Sequence, residues 1–180
     1  MKLHVVRHPV VDDVLVALRD ERTPPAELRR VAHRASPLVA AEVTRAVPVL
    51  RTGCGTLEAF LQPVTSVEVG YFGLERNEVT AVARRCSEKV PKRLEDAGVC
   101  LLDPMLTTGS SAAMAIEGPK SLGVRHVRLR CVVAAPGGVA YLEKTEPEAE
   151  VYTAVPDRPL NDCQYILRGP GNFGNRLVGT

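Results

Sequence analysis

Residues 99–116 read VCLLDPMLTTGSSAAMAI. The stretch opens on an apolar run of strand character at 99–102, stops at one acid, Asp103, passes through threonine, glycine and serine, and ends in alanine-rich helix formers. Small residues after a strand let backbone N–H groups point into one concavity. The helix that follows adds its free N–H groups and the positive end of its dipole. Such a nest suits a dianionic phosphate, and the hydroxyls of Thr107, Thr108, Ser110 and Ser111 add donors. Asp103 cannot bind phosphate directly; it suits a sugar diol or a magnesium-bound water. An acid followed by a phosphate nest describes a sugar-phosphate site, and no GxxxxGK[ST] loop is present. On local chemistry alone, an ordinary strand-to-helix turn explains the stretch equally well.

The flanking sequence places this unit in a larger pattern. HVRLRCVVAAPGGVAYLEKTEP (126–147) reads as strand, glycine-rich turn and helix, and AEVYTAVPDRPL (149–160) as a strand. SVEVGYFGLER (66–76) is β-rich, and VPVLRTGCGTLEAFLQ (47–62) is a short apolar run, a glycine-flanked turn and a helix. Alternating strands and helices predict a mostly parallel α/β sheet covered by helices on both faces. Right-handed crossovers would then align the strand C-termini on one edge, where ligands bind in such sheets. Arg51, Asp103 and Ala134-Ala135 fall at that edge.

Upstream the pattern is helical. Val11, Val14, Leu15 and Leu18 have helical spacing. Thr23 is a cap candidate with Pro24 in the first turn, and Ser36-Pro37 repeats that start signal for a further helix. The expected organisation is one domain over 1–180: a helical segment at 1–46, an α/β core at 47–160, and a C-terminal loop at 161–180. ARRCSEKVPKRLEDAG (83–98) is the most polar stretch and reads as a solvated surface connection. Gly118-Pro119 is expected to shorten or kink the helix after the threonine–serine loop.

Composition narrows the class. Hydrophobic residues make up 45% of 180, charged residues 24%, and aromatics only 4% with no Trp. The core must be aliphatic. A net charge of +2 is too small to imply a nucleic-acid or membrane partner, and only a local patch could argue for one. The N-terminus MKLHVVRHPV lacks the apolar run of a secretory signal, and no segment approaches a membrane span, so a cytoplasmic location is expected. The five cysteines are dispersed without a CxxC pair, and the four histidines do not pair at metal-ligand spacing. Cys100 and Cys131 sit in apolar runs and are expected in the core.

Several segments carry a family resemblance. LLDPMLTTGSSA resembles DPMLATGGS, the phosphoribosyl-diphosphate (PRPP) signature of the uracil phosphoribosyltransferases. HPVVDDVLVALRDERT is similar to that family's opening, PVLRTGCGTLEAFL resembles PILRAGLGM, and VGYFGLERNEVT resembles VGMYRNEET. VVAAPGGVAYLEKTEPEAEVYTA and YILRGPGNFGNRLVGT resemble later segments in the same order, the last being YIIPGLGDAGDR-FGT.

The resemblance implies a type I phosphoribosyltransferase fold and transfer of phosphoribose from PRPP to uracil, giving UMP and diphosphate. Mg²⁺ would be bound mainly through PRPP, and the chain would be a homo-oligomer, a dimer. It implies Arg51, Arg76 and Asp103 as the catalytic residues. PRPP would be held by these three, by Pro104, Met105, Leu106, Thr107, Thr108, Gly109, Ser110 and Ser111, and by Asn172. The base would be read by Ile166, Gly171, Asn172 and Phe173. Uracil shows an acceptor–donor–acceptor edge that backbone groups can read, and the glycines of GPGNFG let the chain pass close to a flat ligand.

The chain also departs from the family. A β-hairpin arm between EVTRAV and PVLRTG is missing, GGS becomes Gly109-Ser110-Ser111, two C-terminal aspartates become Asn172 and Asn175, and an aromatic pair becomes Cys86-Ser87. If the lost glycine had positive φ, Ser110 would cost about 1 kcal/mol or more. Two further readings stay open on these residues. One is the same chemistry on another uracil-like heterocycle. The other is a nucleotide-sensing or RNA-binding regulator that would use the basic residues Arg84, Arg85, Lys89, Lys92 and Arg93.

Overall fold

A computed structural model describes residues 1–6, 14, 16–17, 19–20, 22–41, 69–76, 83–90 and 98–156. Its elements are β1 (Lys2–Val5), α1 (Pro25–Ala41), β2 (Tyr71–Arg76), β3 (Ala83–Lys89), β4 (Val99–Leu102), β5 (Met105–Leu106), α2 (Ser110–Ser121), β6 (Val127–Ala134), α3 (Pro136–Thr145) and β7 (Glu150–Pro156). The main sheet runs β1-β7-β6-β4 with every pairing parallel, and β5 extends the β4 side along β6. This is the mostly parallel sheet that the strand–helix alternation predicts.

Burial explains why these runs are strands. All four residues of β4 are buried, and β6 is buried except for Arg128, as central strands covered on both faces require. One face carries Val99, Leu101, Leu129, Cys131 and Val151, which cluster with Ala112, Ala115 and Ile116 of α2 and Leu142 of α3. The chain steps from β4 to β6 to β7 across the sheet through α2 and α3, so right-handed crossovers put both helices on this face. The described core is aliphatic apart from Phe72, and Cys100 and Cys131 are buried free thiols within the sheet. The other face is more polar. His4 stacks on Tyr152 with ring centroids 4.5 Å apart, and the buried Arg130 lies over the same ring at 5.1 Å.

Three expectations are corrected. The N-terminal segment is not wholly helical, because Lys2–Val5 form a parallel edge strand on β7. Its four exposed residues give no buried–exposed alternation to read. Ser36-Pro37 starts no new helix; α1 runs through it from Pro25 to Ala41. The polar stretch after residue 82 is not simply a surface connection, because Ala83–Lys89 form β3 antiparallel to β2, with a register irregularity at Gly73/Leu74. Gly118-Pro119 lies in the last turn of α2, which closes at Ser121. The N–H groups of Leu122 and Val124 bond to the Pro119 carbonyl, and Gly123, at φ 87°, bonds to Lys120, closing the helix two residues beyond the proline. Gly118 is where α2 meets β2: a Cβ there would lie 2.6 Å from Cζ of the buried Phe72. The absent hairpin arm is a reading of residues 42–50, which lie outside those described.

Candidate functional site

The site is built at the C-terminal edge of β4. Asp103 follows the last residue of the strand, half-buried, and its N–H donates to the Arg130 carbonyl at 2.9 Å. Pro104 does not end the pairing. Its carbonyl accepts from Val132 and Val133, and the register runs on unchanged from Leu102↔Arg130 to Met105↔Val133. The strand therefore breaks for two residues at the acid and resumes as β5, which the sequence reading merges into the loop. Leu106 is buried in the core cluster and its carbonyl accepts from Ala135 at 2.8 Å. Pro104, Met105 and Leu106 thus anchor the segment to β6, and the loop proper begins at Thr107.

Thr107 and Thr108 are half-buried and lead into Gly109, which sits in the left-handed region at φ 86°, ψ −16°. Gly109 is the N-cap of α2: its carbonyl accepts the Ala113 N–H at 2.8 Å, and no side chain caps the helix. The N–H groups of the first turn are left pointing out of the helix end, where the dipole favours an anion. The hydroxyls of Thr108 and Ser110 lie 3.2 Å apart at the same place. Glycine is favoured at 109 because a Cβ in the left-handed region is strained.

The concern over Ser110 is resolved by this geometry. The left-handed residue is Gly109, which is retained. Ser110 is the first residue of α2 and has helical backbone that any residue adopts. Its side chain adds a hydroxyl to the helix end.

Asp103 keeps an oxygen, Oδ1, 3.4 Å from the Met105 N–H. Its charge reaches the core as well: Cys131, pushed up to about 12 chiefly by burial, is raised further by the nearby Asp103 carboxylate. Cys100 is likewise pushed up to about 11 by burial, against a smaller opposing pull from Arg130. Burial lowers the pKa of Arg130 itself. These thiols serve packing, and the Asp103 carboxyl is placed at the sheet edge.

The remaining sequence-derived residues divide by position. Arg76 ends β2, paired with Ala83. Arg51, Ile166, Gly171, Asn172 and Phe173 lie outside the described residues. The chain leaves β6 at Ala134 and β7 at Pro156 on the Asp103 edge. Sequence reasoning missed Gly138 and Tyr141 of α3, which pack against Thr107 and Gly109. The available signal was Gly137-Gly138 in the first turn of a helix, where glycine is a poor helix former and needs a packing reason. Among the described residues no three His, Cys, Asp or Glu side chains converge on a common point.

The sequence matches the family model for uracil phosphoribosyltransferase over residues 43–180. It is 35% identical to the uracil phosphoribosyltransferase of Shouchella clausii and 33% identical to that of Bacillus cytotoxicus, covering 99% of both chains in each case. Both alignments run over 206 residues, more than the 180 of this chain, so these relatives carry residues that it lacks. The structure superimposes on that of the AQ2163 protein from Aquifex aeolicus with a TM-score of 0.91 at 27% identity, covering 99% of this chain and 98% of that one. It shares its fold, at a TM-score of 0.54 and 15% identity, with orotate phosphoribosyltransferase of Mycobacterium tuberculosis in complex with PRPP, covering 84% of this chain and 93% of that one.

Proposed function

Since the chain belongs to the uracil phosphoribosyltransferase family, we propose that it transfers phosphoribose from PRPP to uracil, giving UMP and diphosphate. The observation that carries this reading is the continuous unit of β4, Asp103, left-handed Gly109 and the uncapped start of α2. It supplies an acid and an anion nest in the order that a ribose 5-phosphate presents its diol and phosphate.

In this reading the amides and hydroxyls of Thr107 to Ser111 hold the 5′-phosphate, aided by the α2 dipole. Asp103 accepts hydrogen bonds from the ribose hydroxyls, fixing the sugar with C1 exposed to both base and leaving group. The bond from N1 of uracil to C1 forms as the bond from C1 to the diphosphate oxygen breaks, and the N1 proton is released. The electron pair leaves on diphosphate, so guanidinium groups are needed where negative charge develops. Arg51 and Arg76 are assigned that role. Backbone groups around Ile166, Gly171 and Phe173 read the base edge, and Asn172 reaches PRPP. Asp103 gives one hard oxygen donor at the diol, which fits a Mg²⁺ that takes its other oxygens from PRPP. When bound, Mg²⁺ neutralises charge on the diphosphate.

The molecule carries no helix long and apolar enough to cross a membrane among its described residues. A cytoplasmic, dimeric enzyme is the setting proposed for it. The test is incubation with PRPP, Mg²⁺ and labelled uracil, followed by separation of UMP. UMP formed in proportion to diphosphate released supports the reading. Release with other heterocycles but not with uracil, or no release at all, overturns it.

A further inference from the structure

We propose that helix α3 is the backstop that holds the phosphate loop in its anion-binding shape, with Gly138 and Tyr141 as positioning residues for PRPP. The inference rests on the function proposed above and deepens it. A run of threonine, glycine and serine has many conformations, and its N–H groups converge only if something outside the loop removes the alternatives. Helix α2 lacks a side-chain cap; within the loop the Thr108 and Ser110 hydroxyls meet at 3.2 Å, and α3 adds to that restraint from outside.

The neighbouring helix supplies the constraint at two points. Gly138, buried in the first turn of α3, lies against the Thr107 backbone. A Cβ there would meet the Thr107 carbonyl oxygen inside any real contact distance, with the Thr107 carbonyl carbon at 3.1 Å and Leu106 Cγ at 3.0 Å. Tyr141 follows three residues later and so lies on the same face of α3. Its Cδ1 and Cβ would be 2.9 and 3.1 Å from a Cβ on Gly109, and the Gly138 carbonyl oxygen would be 2.9 Å away. Two of the three residues that lead into α2, Thr107 and Gly109, are therefore braced by α3.

The distribution of burial separates this role from plain packing. Leu142 anchors α3 in the core at 0% exposure, whereas Tyr141 is 43% exposed and contributes its ring base to the loop. Gly137 is an internal control: a Cβ there meets nothing within 4 Å. Of two adjacent glycines in one helical turn, only the one facing the loop is sterically required.

The experiment compares wild type with Y141A, Y141F, G137A and G138A. Each is assayed for KM of PRPP, KM of uracil and kcat, for UMP binding by calorimetry, and for amide hydrogen exchange. For Y141A the KM for PRPP rises about five- to tenfold, the scale of re-ordering one or two groups on binding. Its kcat and KM for uracil stay within about twofold. Exchange accelerates at 107–111 and not in β4 or β6. Y141F and G137A match wild type, and G138A behaves like Y141A or worse. Y141A with an unchanged KM for PRPP and unchanged exchange overturns the inference, as does an equal loss for both substrates. If wild type neither turns over PRPP nor binds UMP, the parent function fails and takes this inference with it. If wild type binds UMP and Y141A binds it equally well, only the inference fails.

Discussion

Replacing Gly109 by alanine puts the loop geometry to its hardest test. A residue with a Cβ at φ 86° costs about 1–2 kcal/mol in backbone conformation alone. The added Cβ would also sit 2.9 Å from the Gly138 carbonyl oxygen and 2.9 Å from Tyr141 Cδ1. The half-exposed tyrosine ring can swing aside, but the carbonyl belongs to α3 and cannot, so the loop must shift. The combined loss is about 2–3 kcal/mol. In a chain of this size that lowers Tm by roughly 4–10 °C. The same shift turns the first-turn amides of α2 away from the phosphate, so the KM for PRPP rises at least tenfold while that for uracil changes little. Thermal unfolding and steady-state kinetics with each substrate varied in turn give both readouts. A G109A variant with wild-type Tm and wild-type KM for PRPP would refute the left-handed turn and the nest built on it.

Other expected outcomes follow from single positions. Ser110→Gly, which restores the glycine of the family motif, gives no gain in affinity for PRPP and destabilises α2 by up to about 1 kcal/mol in chemical denaturation, because position 110 is already helical. Gly118→Ala drives a Cβ into the buried ring of Phe72 and lowers stability by about 1–3 kcal/mol, with kinetics unchanged in the fraction that stays folded. Cys100 and Cys131, pushed up to about 11 and about 12 by burial, resist iodoacetamide at pH 8 in the folded protein and react once it is unfolded, as peptide mass spectrometry would show. Because both folded pKa values lie above the ordinary thiol value of 9.0, the associated stability is complete below pH 9 and is lost as pH rises toward 11. Asn172→Asp restores a charged acceptor at the PRPP position and raises kcat; an unchanged rate contradicts the role given to that residue.

The sheet was legible because its central strands are buried on both faces. VCLL is a continuous apolar run and LRCVV is apolar but for Arg130, and each leads through small residues into a helix. What the sequence hid is what local pattern does not encode. Lys2–Val5 pair as an edge strand with every residue exposed, so nothing distinguishes them from a polar leader. Pro37 and Pro119 look like punctuation, yet α1 and α2 run through both. Pro104 looks like the end of a strand, but the register along β6 passes it unbroken because its carbonyl takes two N–H groups from that strand. At the site, residue type alone left Asp103 and the 107–111 loop divided between a phosphate nest and an ordinary turn, and the family resemblance made the choice. The identity of the left-handed residue could not, and assigning it to Gly109 converts Ser110 from a defect into an ordinary helix start. The bracing by Gly138 and Tyr141 is a contact between segments about thirty residues apart, which no local window contains.

The central claim is that the unit from Asp103 to Ser111 holds a ribose 5-phosphate. A crystal structure of the protein with UMP tests it most directly. The account predicts the 5′-phosphate on the backbone amides of residues 107–111 at the start of α2, with the ribose hydroxyls on the Asp103 carboxylate. A phosphate seated elsewhere, or a ribose out of reach of Asp103, would contradict it.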